Sequence, residues 1–139
     1  MHRVVLDTNV LISAFLSRSG IPNQILRQVG QSYRLFIGKA ILEETERVLH
    51  EPNIRKRGKL TEGDIQDFLN SLRAAAFVIE NMPSLRVIED DPDDDAILAC
   101  ALAAQADYLV SGDMHLRRLK SYKGIQIVSP SEFHTILQQ

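Results

Sequence analysis

Residues 3–11 read Arg3-Val4-Val5-Leu6-Asp7-Thr8-Asn9-Val10-Leu11 (RVVLDTNVL), an apolar run that ends on an acid. The part from Arg3 to Asp7 is short and rich in valine and leucine, which predicts a buried strand. The part from Val10 to Leu16 is typical of a helix, with Thr8 or Asn9 as its cap. Asp7 is therefore predicted to be the last residue of the first strand.

The rest of the chain continues this alternation of strands and helices. Further strands are predicted at 33–37, 77–79, 108–110 and 125–128, and helices at 23–29, 40–49, 94–105 and 115–119. Two more helices carry capping boxes at their starts, with Thr61 and Asp64 in one and Ser129 and Glu132 in the other. The segment 52–59, which contains RKRGK, is predicted to be a basic connector. Such alternation predicts an α/β fold, with a mostly parallel sheet between helices on both faces.

Composition limits the class of protein. A chain of 139 residues with 45% apolar and 24% charged residues suits one globular domain spanning 1–139. The single cysteine, Cys100, excludes an intramolecular disulfide and a cysteine-based zinc cluster, and it fits a reducing cytoplasm. We expect neither a signal peptide nor a membrane span. A net charge of -2 and a pI near 6.1 argue against a protein that coats duplex nucleic acid.

An acidic run stands directly before an uncharged helix. Residues 89–95 read EDDPDDD and hold 6 of the chain's 18 acids, and residues 96–106 (AILACALAAQA) carry no charge. Pro92 disfavours a helical conformation at Asp91, so the helix is predicted to begin near residue 93 or 94. Acids at a helix start are stabilised by about 0.3–1 kcal/mol each, which explains one or two of them. Helical spacing alone leaves open whether Asp94 or Asp95 faces the edge of the sheet.

Two neighbouring glutamates are separated by helical geometry. Glu44 lies three residues after Ile41 and four before Val48, which places it on the apolar row of its helix. Glu43 falls on the opposite, polar face together with Arg47, and no lysine or arginine of this helix is expected to face inward toward Glu44. Taken alone, Glu44 fits a boundary residue whose carboxylate reaches solvent. An inward glutamate instead needs a partner, because an unpaired buried charge is costly.

The carboxyl ends of parallel strands meet at one edge of a sheet, where ligands bind. Asp7 ends the first strand, and Asp113 lies just beyond the strand 108–110. With Glu44 and Asp94 they give four carboxylates that we expect to converge. Because like charges at short distance repel, they stay ionised together only around a cation. An all-oxygen ligand set favours Mg²⁺ or Mn²⁺.

The stretches VVLDTNVLISA, AILEETERVL and DPDDDAILACALAAQADYLVSGD, with the closing strand and helix, resemble the PIN-domain family over nearly the whole chain. Within that family the likeness is greatest to bacterial VapC-like toxins of toxin–antitoxin pairs. The resemblance implies a three-layer α/β/α Rossmann-like fold, with a five-stranded parallel sheet in the order 3-2-1-4-5. It also implies a Mg²⁺- or Mn²⁺-dependent ribonuclease that leaves 5′-phosphate and 3′-hydroxyl ends, an antitoxin as partner and a homodimer.

Carried over by position, the family's catalytic and metal-binding acids fall on Asp7, Glu44, Asp94 and Asp113. Asp95 stands where relatives often have Asn, so the resemblance favours Asp94. Thr8, Asn9 and Ser111 fall where the family has polar groups that support the site or contact substrate. The chain departs from the family pattern at Gly38, where relatives often have Ser, and at His115, where many have an acid.

Basic residues are needed to hold an RNA backbone. The candidates lie in two groups, and for each group a solvated charged face is an equally good interpretation. The residues are Arg55, Lys56, Arg57, Lys59, Arg117 and Arg118.

Three other classes of protein are alternatives. A phosphoryl-transfer enzyme with a nucleophilic aspartate needs an acid two residues after Asp7, and the chain has Asn9 there. A nucleotide-binding Rossmann enzyme needs a glycine-rich motif that the chain lacks. The remaining alternative is a non-catalytic RNA-binding or partner-sequestered protein with the same fold, and metal-dependent cleavage distinguishes it from a nuclease.

Overall fold

The computed structural model of the chain describes residues 1–81 and 92–139. Within these residues the chain forms one central sheet. Its strands are β1 (His2–Leu6), β2 (Tyr33–Gly38), β3 (Phe77–Ile79), β4 (Tyr108–Val110), β5 (Ser121–Tyr122) and β6 (Ile125–Val128). The helices are α1 (Thr8–Leu16), α2 (Ile21–Leu26), α3 (Lys39–Leu49), α4 (Pro52–Gly58), α5 (Glu62–Ala75), α6 (Pro92–Ala103), α7 (Met114–Leu119) and α8 (Pro130–Leu137).

The strand order in the described part of the chain is β3-β2-β1-β4-β6-β5. The first five of these positions are parallel, and β5 is antiparallel to β6. The chain runs outward from β1 to β3, then returns through α6 to β4 on the other side of β1. Right-handed crossovers in the two directions put helices on opposite faces of the sheet, which gives three layers. The direction reverses between β1 and β4, and ligands bind at such a switch point.

Packing follows the predicted periodicities. The helix α6 packs against β1, β2 and β4, and the helix α3 packs against β2, α1 and α5. The strand residues Val4, Leu35 and Leu109 are at most 1% exposed. Both predicted capping boxes form, at Thr61 with Asp64 and at Ser129 with Glu132. The predicted α/β architecture is therefore confirmed.

The five predicted strands are parallel and follow the predicted order 3-2-1-4-5, and the described residues add a sixth, antiparallel strand. The additional strand, β5, has two residues and pairs with β6 across a tight turn. Lys123 and Gly124 have positive φ angles of 47° and 84° at this turn. A two-residue strand is too short to produce an alternating pattern, so periodicity does not reveal it.

The predicted basic connector is instead the helix α4. Its sequence, PNIRKRG, has Pro52 in the first turn and basic residues in the last turn, where the helix dipole favours them. Ile54 alone packs against the core, so no apolar stripe announces the helix. Two other boundaries differ from the prediction: α2 spans Ile21–Leu26 instead of 23–29, and α1 is capped by Asp7 instead of Thr8 or Asn9.

The helix α6 begins at Pro92, one or two residues before the predicted start. The expectation that Asp90 and Asp91 precede this helix lies outside the described residues. In the part of the chain that is described, no helix has the length and apolar character needed to cross a membrane.

Candidate functional site

Asp7 lies at the junction of β1 and α1 and is 9% exposed. Its Oδ1 accepts a hydrogen bond of 2.8 Å from the backbone N–H of Thr8, which caps the helix. Burial raises the pKa of Asp7, and the negative charges of Asp113 and Glu44 raise it further, against the lowering effect of its hydrogen bonds. The carboxylate thus lies where its ionised form is disfavoured until a positive charge is supplied.

Ser111 and Asn9 join the ends of β1 and β4. The buried Ser111 hydroxyl donates to Asp7 Oδ2 at 2.7 Å and accepts from the backbone N–H of Asp113 at 2.9 Å. The Asn9 amide donates to the same oxygen of Asp7 at 3.2 Å, and its carbonyl oxygen accepts from Gly112 N–H at 3.1 Å. These two side chains therefore set the orientation of Asp7 relative to the loop that carries Asp113.

Glu44 lies on α3 with its side chain 29% exposed, whereas Glu43 is exposed, as the helical register predicts. The Thr8 hydroxyl donates to Glu44 Oε2 at 3.3 Å. Arg47, expected on the polar face, approaches Glu44 Oε1 to 3.8 Å. The expectation that α3 offers Glu44 no cation is therefore wrong, because the long Arg47 side chain reaches back along the helix.

Asp94 and Asp113 approach the site from the other side. Asp94 lies in the first turn of α6 and is 4% exposed, and Asp113 caps α7 through a 2.8 Å bond from His115 N–H to its Oδ1. Ligand atoms of Asp94, Asp113 and His115 lie within 4.8 Å of one another. The sequence analysis marks His115 only as a position where many family members have an acid. That position in the family pattern, in the first turn after Asp113, is the signal in the sequence for its proximity to the site.

The four predicted acids line one cavity of about 420 Å³, together with Thr8, Asn9, Ile12, Ser13 and Val48. Asp95 is also buried but is not among the lining residues. Ser111 is fully buried and does not line the cavity, but it is hydrogen-bonded to the Asp7 carboxylate and to the backbone N–H of Asp113, which do. The donor set of buried and half-exposed carboxylates fits a hard divalent cation such as Mg²⁺ or Mn²⁺.

The predicted basic residues lie elsewhere. Arg117 and Arg118 line a separate cavity of about 550 Å³ with Met114 and Lys120. Lys59 lines a third cavity of about 740 Å³ between α1 and α5. Among the residues that the structure describes, none of the six basic candidates lines the acidic cavity; those residues are Arg55, Lys56, Arg57, Lys59, Arg117 and Arg118.

Comparison with known proteins agrees with this architecture. No match was found among curated proteins. One chain of the crystal structure of VapBC2 from Rickettsia felis, bound to a DNA fragment from their promoter, superposes with a TM-score of 0.64. That match has 15% sequence identity and covers 91% of this chain and 98% of the other, so it concerns the fold. The sequence model of the PIN domain family matches residues 3–115 of this chain. The chain therefore belongs to the PIN domain family.

Proposed function

We propose that the chain is a metal-dependent endoribonuclease that hydrolyses phosphodiester bonds of RNA. The observation that carries this proposal is the lining of one cavity by Asp7, Glu44, Asp94 and Asp113, which come from four separate parts of the chain. Such a convergence of acids has no use in the packing of the core, where it is costly. It suits the binding of one or two divalent ions next to a phosphate group.

The four acids divide into a floor and a rim. Asp7 is buried and fixed by Ser111, Asn9 and the start of α1, and Asp94 has a side chain that is 6% exposed. These two hold their oxygens in place for Mg²⁺ or Mn²⁺. Glu44 and Asp113 have side chains that are 29% and 28% exposed, so they contact both the cavity and solvent, and a proton from an attacking water can leave through them.

An ion held by the four acids would supply Lewis-acid activation of water and would neutralise charge on the scissile phosphate. In-line hydrolysis then leaves a 5′-phosphate and a 3′-hydroxyl end. Thr8 and Asn9 line the cavity and would serve as contacts to the acids and the substrate.

The RNA substrate runs along two adjacent cavities in this proposal. Asn9, Ser13 and Asp113 line both the acidic cavity and a second one of about 310 Å³. Arg117 and Arg118 lie one turn beyond Asp113 on α7 and would contact the backbone as it leaves the site, and the basic residues of α4 would contact a more distant part. Phosphate contacts of this kind make binding weaken steeply with salt.

A toxin–antitoxin role is the biological setting we propose, in the cytoplasm. It rests on the sequence resemblance to VapC-like toxins and on a structural neighbour that belongs to a VapBC2 complex bound to promoter DNA. In this setting a cognate antitoxin binds the chain, which acts as a homodimer. Co-expression with the product of an adjacent gene that encodes a small DNA-binding protein, followed by size-exclusion chromatography, tests both statements.

The direct test of the enzymatic proposal is cleavage of a labelled single-stranded RNA by the metal-stripped protein. Cleavage is expected after addition of Mg²⁺ or Mn²⁺ and is expected to stop on addition of EDTA. RNA binding without cleavage under any of these conditions would instead support a non-catalytic RNA-binding protein with the PIN fold.

A further inference from the structure

His115 stands at the rim of the acidic cavity with its ring directed toward two carboxylates. Its Nδ1 lies 4.0 Å from Asp94 Oδ2 and 4.0 Å from Asp113 Oδ1. The two aspartates belong to different elements, since Asp94 is on α6 and Asp113 caps α7. His115 thus lies close to the acids at the starts of both α6 and α7.

The spacing of these three atoms is close to that of a bound cation's ligands. Donors that bind one divalent ion at about 2.0–2.2 Å lie about 3–4 Å from one another. The three ligand atoms here lie within 4.8 Å of one another. Because the His115 side chain is 58% exposed, its ring can turn toward the ion by rotation about its own side-chain bonds, without a change in the core.

A simple ion pair accounts poorly for this arrangement. The pair of His115 with the partly exposed Asp113, separated by 4.0 Å, contributes little to stability, at most about 1 kcal/mol. The backbone N–H of His115 already bonds to Asp113 Oδ1 at 2.8 Å, so Asp113 does not need the imidazole as a partner. The approach of one ring nitrogen to two carboxylates is instead the pattern of a mixed nitrogen and oxygen metal site.

We propose that His115 supplies Nδ1 as a metal ligand beside Asp94 and Asp113, and that this ligand makes the site select Mn²⁺ and similar transition ions over Mg²⁺. The inference rests on the metal site of the proposed function. Carboxylates alone suit Mg²⁺ and Mn²⁺ alike, whereas imidazole binds transition ions and adds little affinity for Mg²⁺. The site therefore has oxygen ligands from the four acids and one nitrogen ligand that discriminates between ions.

Metal binding by the full chain, measured without RNA, tests the proposal. Calorimetry compares Mn²⁺ and Mg²⁺ binding to the metal-stripped wild type, His115→Ala and His115→Asp, with circular dichroism as a check of folding. Loss of the ligand in His115→Ala is expected to weaken Mn²⁺ binding about 10–100-fold and Mg²⁺ binding less than about threefold. His115→Asp is expected to retain Mg²⁺ binding and to lose the preference for Mn²⁺.

A second measurement does not depend on any variant of His115. Nuclear magnetic resonance of the nitrogen-15-labelled wild type with Zn²⁺ reports whether the Nδ1 resonance of His115 shifts on coordination. In the calorimetry, His2→Ala is the matched control, because His2 is the first residue of β1 and lies at the end of that strand away from Asp7. This variant is expected to bind both ions as the wild type does.

Equal losses for Mn²⁺ and Mg²⁺ in His115→Ala, unchanged binding of both ions, or an unshifted Nδ1 resonance would each overturn the assignment. These results are separable from the fate of the proposed function. If RNA is cleaved but the His115 variants bind both ions like the wild type, only the ligand assignment fails. If His115 coordinates metal but no RNA is cleaved, the assignment stands and the ribonuclease proposal fails.

Discussion

Among the residues that the structure describes, acidic side chains gather in two regions, and the two regions differ in how these acids are stabilised. The first is the acidic cavity, lined by Asp7, Glu44, Asp94 and Asp113. The second, which we term the α3–α5 cluster, joins the end of α3 to the start of α5. It consists of Glu46, His50, Glu62 and Gln66.

The α3–α5 cluster neutralises its own acids. The Gln66 amide donates to Glu62 at 2.9 Å and to Glu46 at 3.1 Å, and His50 Nε2 lies 2.7 Å from Glu62. The hydrogen bond from Gln66 and then that from His50 hold the pKa of Glu62 below its ordinary value. The ionised carboxylate is therefore the favoured form here, without any added ion.

In the acidic cavity the pKa of a carboxylate is shifted in the opposite direction. Burial raises the pKa of Asp7, and two neighbouring acids raise it further despite bonds from Ser111 and Thr8. The helix α3 contributes to both regions, through Glu44 in its middle and His50 at its end. The difference therefore comes from the partners that each acid meets and not from the helix that carries it. Acids that the fold leaves in mutual repulsion are the ones that an external cation can stabilise.

The largest expected effect separates two adjacent aspartates. Asp94→Asn keeps the size of the side chain but removes a charge from the cavity. Mutation of a residue that only hydrogen-bonds to a metal ligand typically lowers activity about 10–100-fold. Loss of a ligand itself should therefore lower metal-dependent RNA cleavage by about 100-fold or more. Asp95→Asn is the matched control and should have little effect, because Asp95 does not line the cavity. Circular dichroism checks the fold of both. The reverse ranking of the two variants would assign the role to Asp95.

A second pair of variants tests α3 in the same assay. Glu44→Gln should abolish metal-dependent cleavage, because it removes a charged ligand from the cavity. Glu43→Gln should leave cleavage nearly unchanged, because Glu43 is exposed on the other side of the helix. Equal effects of the two changes would show that α3 does not present Glu44 to the metal.

The sequence predicted most of the fold because the strands and the longer helices have clear periodicities and caps. The exceptions are α4, with no apolar stripe, and β5, with two residues. Local patterns cannot reveal either, since their conformations depend on contacts with the rest of the chain.

The site was predicted at the level of its acids but not of their partners. The convergence of Asp7 and Asp113 follows from the parallel sheet, which brings the ends of β1 and β4 together. The bond from Ser111 to Asp7 joins residues 104 positions apart, and the approach of His115 to Asp94 depends on how α6 meets α7. Contacts of this kind are set by tertiary packing, so spacing along the chain does not encode them. The role of each acid in metal binding stays a prediction.

Metal binding should also stabilise the fold. Mn²⁺ at 100 times its dissociation constant should add about 2.7 kcal/mol to the free energy of unfolding, provided that the unfolded chain does not bind it. Differential scanning calorimetry should then show a Tm that rises by several degrees. The rise should shrink as pH falls and the carboxylates protonate. An unchanged Tm in millimolar metal, with a protein free of carried-over ions, would contradict the presence of the site.

A smaller effect is expected from Asp7 in the metal-free protein. Its folded-state pKa is raised above the ordinary value of 3.8. Its contribution to stability is therefore fully present below about pH 3.8 and is lost as pH rises through the raised pKa. Asp7→Asn should raise the metal-free Tm at pH 7 and remove most of the metal-induced rise, as measured by the same calorimetry. A lower metal-free Tm would mean that the bonds from Ser111 and Thr8 outweigh the burial of the charge.

The smallest effect concerns the α3–α5 cluster. The pKa of His50 is raised above 6.5, chiefly by its bond to the Glu46 carbonyl and then by Glu62, so its contribution is present below pH 6.5 and lost as pH rises through the raised value. The pKa of Glu62 is lowered below 4.5, so its contribution to stability is present above pH 4.5 and lost as pH falls through the lowered value.

Glu62→Gln should therefore lower the Tm most between about pH 4.5 and 6.5, and by less than the metal-induced rise in Tm. The control is Glu51→Gln, because Glu51 pairs with Arg47 and not with a histidine. Thermal melts from pH 4.5 to 8 should show that the decrease in Tm caused by Glu62→Gln passes through a maximum. The decrease caused by Glu51→Gln should be the same at every pH in this range. An equal decrease in Tm at pH 5.5 and pH 8 for Glu62→Gln would show that the cluster acts through hydrogen bonding alone, and its contrast with the acidic cavity would then not be one of charge.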